Sequence, residues 1–93
     1  MPRVYRDRRV ERFAAGEFVR AFSAFERQLE RRLRVLQEAT TLQDVASVKG
    51  HRLEPLSGDR AGQYSIRIND QPRICFVWED GIGATEIEVT DYH

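Results

Sequence analysis

The sequence predicts an α+β domain in which two N-terminal helices pack on one face of a small, largely antiparallel β-sheet. Two periodicities and a length lead to this reading. Phe18, Phe22, Phe25, Leu29, Leu33 and Leu36 recur at steps of three and four, the stripe of a helix of about five turns. From Gln63 onward the step becomes two, as in strands with one buried face. A chain of 93 residues supports one modest core, so residues 1–93 are read as a single domain.

Taken in order, Val4 and Tyr5 are apolar enough to begin a strand, and residues 8–15 form a short helix stopped by Gly16. The main helix follows. Arg20, Arg27, Arg31 and Arg34 lie off its stripe, and Glu30 precedes Arg34 in the favourable order for a helical ion pair, so this face is first of all a solvated one. In TTLQDVASVKG, Thr41 and Asp44 have the spacing of a cap and lead into a connection. Tyr64, Ile66 and Ile68 alternate with Ser65, Arg67 and Asn69. After a polar turn, Ile74, Phe76 and Trp78 alternate with Arg73, Cys75 and Val77, completing a hairpin. Gly81 and Gly83 supply a second turn, and Ile87 and Val89 return opposite Glu86 and Glu88. If the helices cover Ile66, Ile68, Ile74, Phe76, Trp78, Ile87 and Val89, the other sheet face stays wet and carries Arg67, Arg73 and Cys75.

Fifteen basic and fifteen acidic residues cancel, so net charge gives no reason to expect attraction to nucleic acid. The distribution is uneven. Residues 1–34 carry ten arginines against five acids, and residues 35–93 carry five basic residues against ten acids. Fourteen of the fifteen basic residues are arginine, whose planar fork suits phosphate or carboxylate, although surface ion pairs use it equally. The lone Cys75 excludes an internal disulfide and a multi-cysteine metal site. With no apolar run of membrane-spanning length, a cytoplasmic location is expected.

The chain closes on Asp91, Tyr92 and His93: a carboxylate, a phenol and an imidazole that can each hold or move a proton. Together with GHRLEPLSGDRAGQYSIRINDQPRICFVWEDG, this tail resembles the HigB-type toxins of the RelE/ParE toxin–antitoxin superfamily. The resemblance is carried above all by the block from Arg52 to Ile66, by the Arg73 to Phe76 strand and by the tail.

The resemblance implies a ribosome-dependent mRNA endonuclease, acting in the 30S A site without metal or cofactor. The ribose 2′-hydroxyl would attack the adjacent phosphorus, leaving a cyclic phosphate and a free 5′-hydroxyl. Such a reaction requires a base, an acid and a fixed cation beside the phosphorane. By resemblance, Arg73 is the transition-state cation, and its guanidinium can hold two phosphate oxygens without losing its charge. Without the resemblance, a cross-strand ion pair with Glu86 or Glu88 is the simpler role. Asp91, Tyr92 and His93 match the catalytic tail. As final residue His93 carries its own α-carboxylate, which favours imidazolium and hence an acid role. Asp91 is then the base or orients it, and Tyr92 stacks on a base or polarises an oxygen.

Ser57 stands where many relatives have lysine, Glu54 where some have histidine, and Pro72 where tryptophan usually precedes the arginine. The remaining groups expected near RNA are His51, Arg52, Arg60 and Arg67, with His51 read more simply as a surface histidine. Implied partners are the ribosome, mRNA and a helix-turn-helix antitoxin of the HigA type, with operator DNA met only through the antitoxin complex. The competing readings are a ParE-like gyrase inhibitor, against which the tail argues, and a catalytically weakened member serving as corepressor, which Ser57 and Pro72 keep open.

Overall fold

The helical N-terminal half begins with a capped turn and ends against the sheet it covers. The computed structural model describes residues 3–91. Helix α1 (Arg8–Ala14) starts at Asp7, whose carboxylate accepts from the Arg9 backbone N–H at 3.0 Å, from the Arg9 guanidinium at 2.7 Å, and from the Val89 N–H at 3.4 Å. One side chain therefore caps the helix and ties it to the last strand. Gly16, at φ 97°, then turns the chain where a side chain would be strained.

The expected five-turn helix is two pieces. Arg20–Phe25 is a 3₁₀ segment, and α2 (Glu26–Glu38) begins only after Phe25, at φ −142° and ψ 32°. A turn of three residues selects a different face from one of 3.6: Val19, Phe22 and Phe25 line up inward, while Phe18, counted in the stripe, is 66% exposed. Phe22 meets Phe13 of α1 edge to face at 5.8 Å. Helical periodicity resumes with Leu29, Leu33 and Leu36, all buried.

Thr41 and Asp44 form a reciprocal capping box, each side chain accepting from the other residue's N–H at 3.2 Å. The box opens a short helix, α3 (Leu42–Ala46), where the sequence suggested only a connection.

Four antiparallel strands follow in the order β1-β2-β3-β4: β1 (Glu54–Pro55), β2 (Gln63–Arg67), β3 (Pro72–Glu79) and β4 (Gly83–Asp91). The α+β class and the two hairpins are as expected. Pro72 opens β3, the position at which a strand best tolerates a residue without an N–H. Val4 and Tyr5 yield only a parallel bridge, Tyr5 to Ile87, so the chain start edges β4 without adding a strand. A register shift between Cys75 and Val77 coincides with Glu86 at φ 50° across the sheet, an irregularity of the bulge type. Ile66, Ile68, Ile74, Phe76, Ile87 and Val89 join the helical stripe in one core, with Trp78 packed at its margin.

The opposite face is less wet than expected. Cys75 is fully buried, as is Ser65 beside it in register. The physical reason is that these small residues share their face with Arg60, Arg73 and Glu88. Polar contacts cross that face: Arg60 to Glu88 at 2.6 Å, Arg73 to Ser65 at 3.0 Å, and Cys75 Sγ beside Thr90 Oγ1 at 3.5 Å.

Candidate active site

The register places cation, hydroxyl and carboxylate in adjoining rows on the face away from the helices. Arg67, Arg73 and Thr90 are cross-strand partners in one row, and Glu54, Ser65, Cys75 and Glu88 make the next. Arg73 lies in the first row and leans toward the second. Its Nε donates to Ser65 Oγ at 3.0 Å and its Nη2 to the Arg52 carbonyl at 3.2 Å, with Glu54 Oε2 at 3.8 Å. Its side chain remains 20% exposed. The guanidinium is thus aimed by neutral acceptors and partly open, an arrangement suited to receiving an anion. The ion pair with Glu86 or Glu88 does not form, because Glu86 pairs with Arg3 at 2.9 Å and Glu88 with Arg60 at 2.6 Å and Arg6 at 3.3 Å.

The carbonyl that receives Arg73 comes from a strained residue. Arg52 has φ 49°, a left-handed conformation that costs a non-glycine residue about 1–2 kcal/mol. His51 anchors this turn from beneath and is not a surface histidine: it is only 2% exposed. Its Nδ1 lies 3.0 Å from the Val45 carbonyl, which can only accept, so Nδ1 carries the proton. Its own carbonyl accepts from the Arg67 N–H at 2.6 Å. Burial pushes the His51 pKa below its ordinary value, the Val45 bond opposes this, and the nearby Arg32 charge reinforces it. A neutral ring enclosed by protein presents no cation to a phosphate, and His51 is accordingly a structural residue.

The other residues expected near RNA divide. Arg52 and Ser57 are exposed, Ser57 immediately before the 3₁₀ turn Gly58–Arg60. Arg60 bonds Gln63 and Glu88, and Arg67 is bound to its own turn, donating to the Asn69 carbonyl at 2.7 Å and to Asp70 at 2.6 Å. Asp91 pairs with Pro72, next to the Arg73–Thr90 pair. Side chains alternate along a strand, so Thr90 shares the face of Arg73 while Asp91 falls on the side of Ile87 and Val89. Tyr92 and His93 lie outside the described residues.

Arg32 was missed by the sequence reading. From α2 it donates to the Arg67 carbonyl at 2.6 Å and to the Gln28 carbonyl at 3.4 Å, fastening the helix to the end of β2. Burial, Arg31 and Arg67 all draw its pKa downward, yet guanidinium stays charged. The available signal was position: Arg32 stands three residues after Leu29 and four before Leu36, at the edge of the apolar stripe.

Among the described residues no group of three His, Cys, Asp or Glu side chains is placed to hold a metal ion, and no helix is long and apolar enough to cross a membrane.

A small antiparallel sheet backed by N-terminal helices, with an arginine held on its open face, is the architecture of the RelE-like toxins. The model of the RelE-like toxin of the type II toxin–antitoxin system HigB matches residues 3–93, and the chain belongs to that family. It is also similar to toxin HigB-1 of Vibrio cholerae serotype O1, with 40% identity over 60 residues, which are 64% of this chain and 63% of that relative.

Proposed function

We propose that this chain is a ribosome-dependent mRNA endonuclease that cuts translated message in the A site and thereby arrests growth. The observation that carries the reading is Arg73, a guanidinium aimed by Ser65 and the Arg52 carbonyl and bordered in register by the chain end. Fixed positive charge of this kind serves a reaction whose transition state gathers negative charge on phosphate oxygens. In this reading the RNA supplies its own nucleophile, Arg73 stabilises the phosphorane, and His93 protonates the leaving 5′-oxygen with Tyr92 beside it. Family membership supports a helix-turn-helix antitoxin as cognate partner, with operator DNA reached through that complex, in the cytoplasm.

Primer extension on cellular mRNA after brief induction tests the reading. Cuts within translated codons, absent from untranslated controls, are the expected result. DNA damage without mRNA cuts would point instead to a gyrase poison, and neither effect to a member that acts only as corepressor.

A further inference from the structure

Resting on the reading above, we propose that Glu54 is the general base of the cleavage. The phosphate bound by Arg73 fixes where a base must stand: within one nucleotide of that guanidinium, on the same sheet face, with a lone pair open to a 2′-hydroxyl. Glu54 meets these conditions. It pairs in register with Ser65, the residue that aims Arg73, and its Oε2 lies 3.8 Å from Arg73 Nη2. That separation is attractive electrostatically but too long for a hydrogen bond, so Arg73 does not occupy the carboxylate's lone pairs. The side chain is 63% exposed on an edge strand, within reach of an incoming RNA strand.

The other carboxylates on this side are committed. Glu88 holds Arg60 and Arg6 and is 13% exposed, while Glu86 holds Arg3. Asp91, the base expected from the tail, falls on the helix side of β4 by strand alternation. Asp59 and Asp70 lie in turns, and Asp70 engages Arg67. Glu54 is thus the carboxylate that the fold sets beside the phosphate cation.

The step balances with RNA alone. Glu54 takes the 2′-hydroxyl proton as the 2′-oxygen bonds to phosphorus. The bond from phosphorus to the 5′-oxygen breaks, and that oxygen leaves with a proton from the chain-end acid. The products are a 2′,3′-cyclic phosphate and a 5′-hydroxyl. Arg73 offsets the charge gathered on the phosphorane, and the same guanidinium keeps the Glu54 carboxylate ionised and ready.

The test is single-turnover cutting of ribosome-bound mRNA by wild type, Glu54→Gln and Glu54→His over a range of pH. Glutamine keeps size and polarity at an exposed site but cannot take the proton, so its rate should fall about 10²–10⁴-fold with little change in RNA affinity. Histidine should recover part of the rate at neutral pH and move the acid limb of the profile toward the imidazole range, about 6.5. Wild-type cutting with an unimpaired glutamine variant would overturn this assignment alone. A histidine variant as slow as glutamine, with the limb unmoved, would also overturn it by making Glu54 a mere orienter of Arg73. Intact mRNA with wild type would overturn the proposed function and this assignment together.

Discussion

Replacing Arg73 with alanine should abolish measurable mRNA cutting and relieve growth arrest while leaving the protein folded. Loss of one fixed donor to a developing oxyanion costs about 10²–10³ in rate, and Arg73 offers a full charge as well as two N–H groups. The structural loss is smaller. The side chain is partly open to water, the Ser65 hydroxyl can rotate to another partner, and the Arg52 carbonyl belongs to an exposed residue, so the cost to folding should be about 1 kcal/mol. Arg73→Lys keeps the charge without the fork and should fall between the two. Single-turnover cutting, read with the circular dichroism of each variant, separates these effects. A folded alanine variant that cuts at near wild-type rate would remove Arg73 from the mechanism.

Acid should loosen the turn that aims this arginine, through His51. Burial is the largest influence on the His51 pKa and lowers it, the Val45 carbonyl opposes, and Arg32 adds to the lowering. A depressed folded-state pKa means that the unfolded chain binds the extra proton first. Stability from this residue is therefore complete above its ordinary value of 6.5 and declines as pH falls from there through the lower folded-state value. His51→Ala should abolish that decline and, at neutral pH, cost about 2–5 kcal/mol, the range for emptying a buried position. Because the His51 carbonyl holds Arg67 and the next carbonyl holds Arg73, cutting should fall with stability. Urea denaturation of both proteins between pH 5 and 8 measures this. A wild-type midpoint independent of pH below 6.5, or an alanine variant of unchanged stability, would contradict it.

What the sequence made legible followed from local rules. Alternation in Tyr64–Ile68 and Arg73–Trp78 marked the hairpin, and the Thr41–Asp44 spacing marked a capping box that forms. Arg73 could be singled out because a lone arginine on an alternating strand has few structural uses. The misses share a cause, which is that burial depends on what a distant segment places overhead. Cys75 sits on the polar side of its strand, yet Arg60 and Glu88 close over that face from elsewhere in the chain. His51 stands among polar neighbours in sequence but is buried against α3. The five-turn helix failed at Phe18 because steps of three and four fit both 3₁₀ and α geometry over so few residues. Glu54 was read only as a departure from relatives, because a two-residue strand has no period to reveal its neighbour Arg73.

The central claim is that Arg73 stabilises an attack made by the RNA itself, and one substrate tests it most directly. Ribosomes would carry an mRNA with a single 2′-deoxy nucleotide on the 5′ side of the mapped cut, the all-ribose message serving as control. The account predicts that the deoxy message stays intact at that position while the control is cut to a 2′,3′-cyclic phosphate and a 5′-hydroxyl. Cutting of the deoxy message at the same bond, or a 5′-phosphate on the control product, would contradict it.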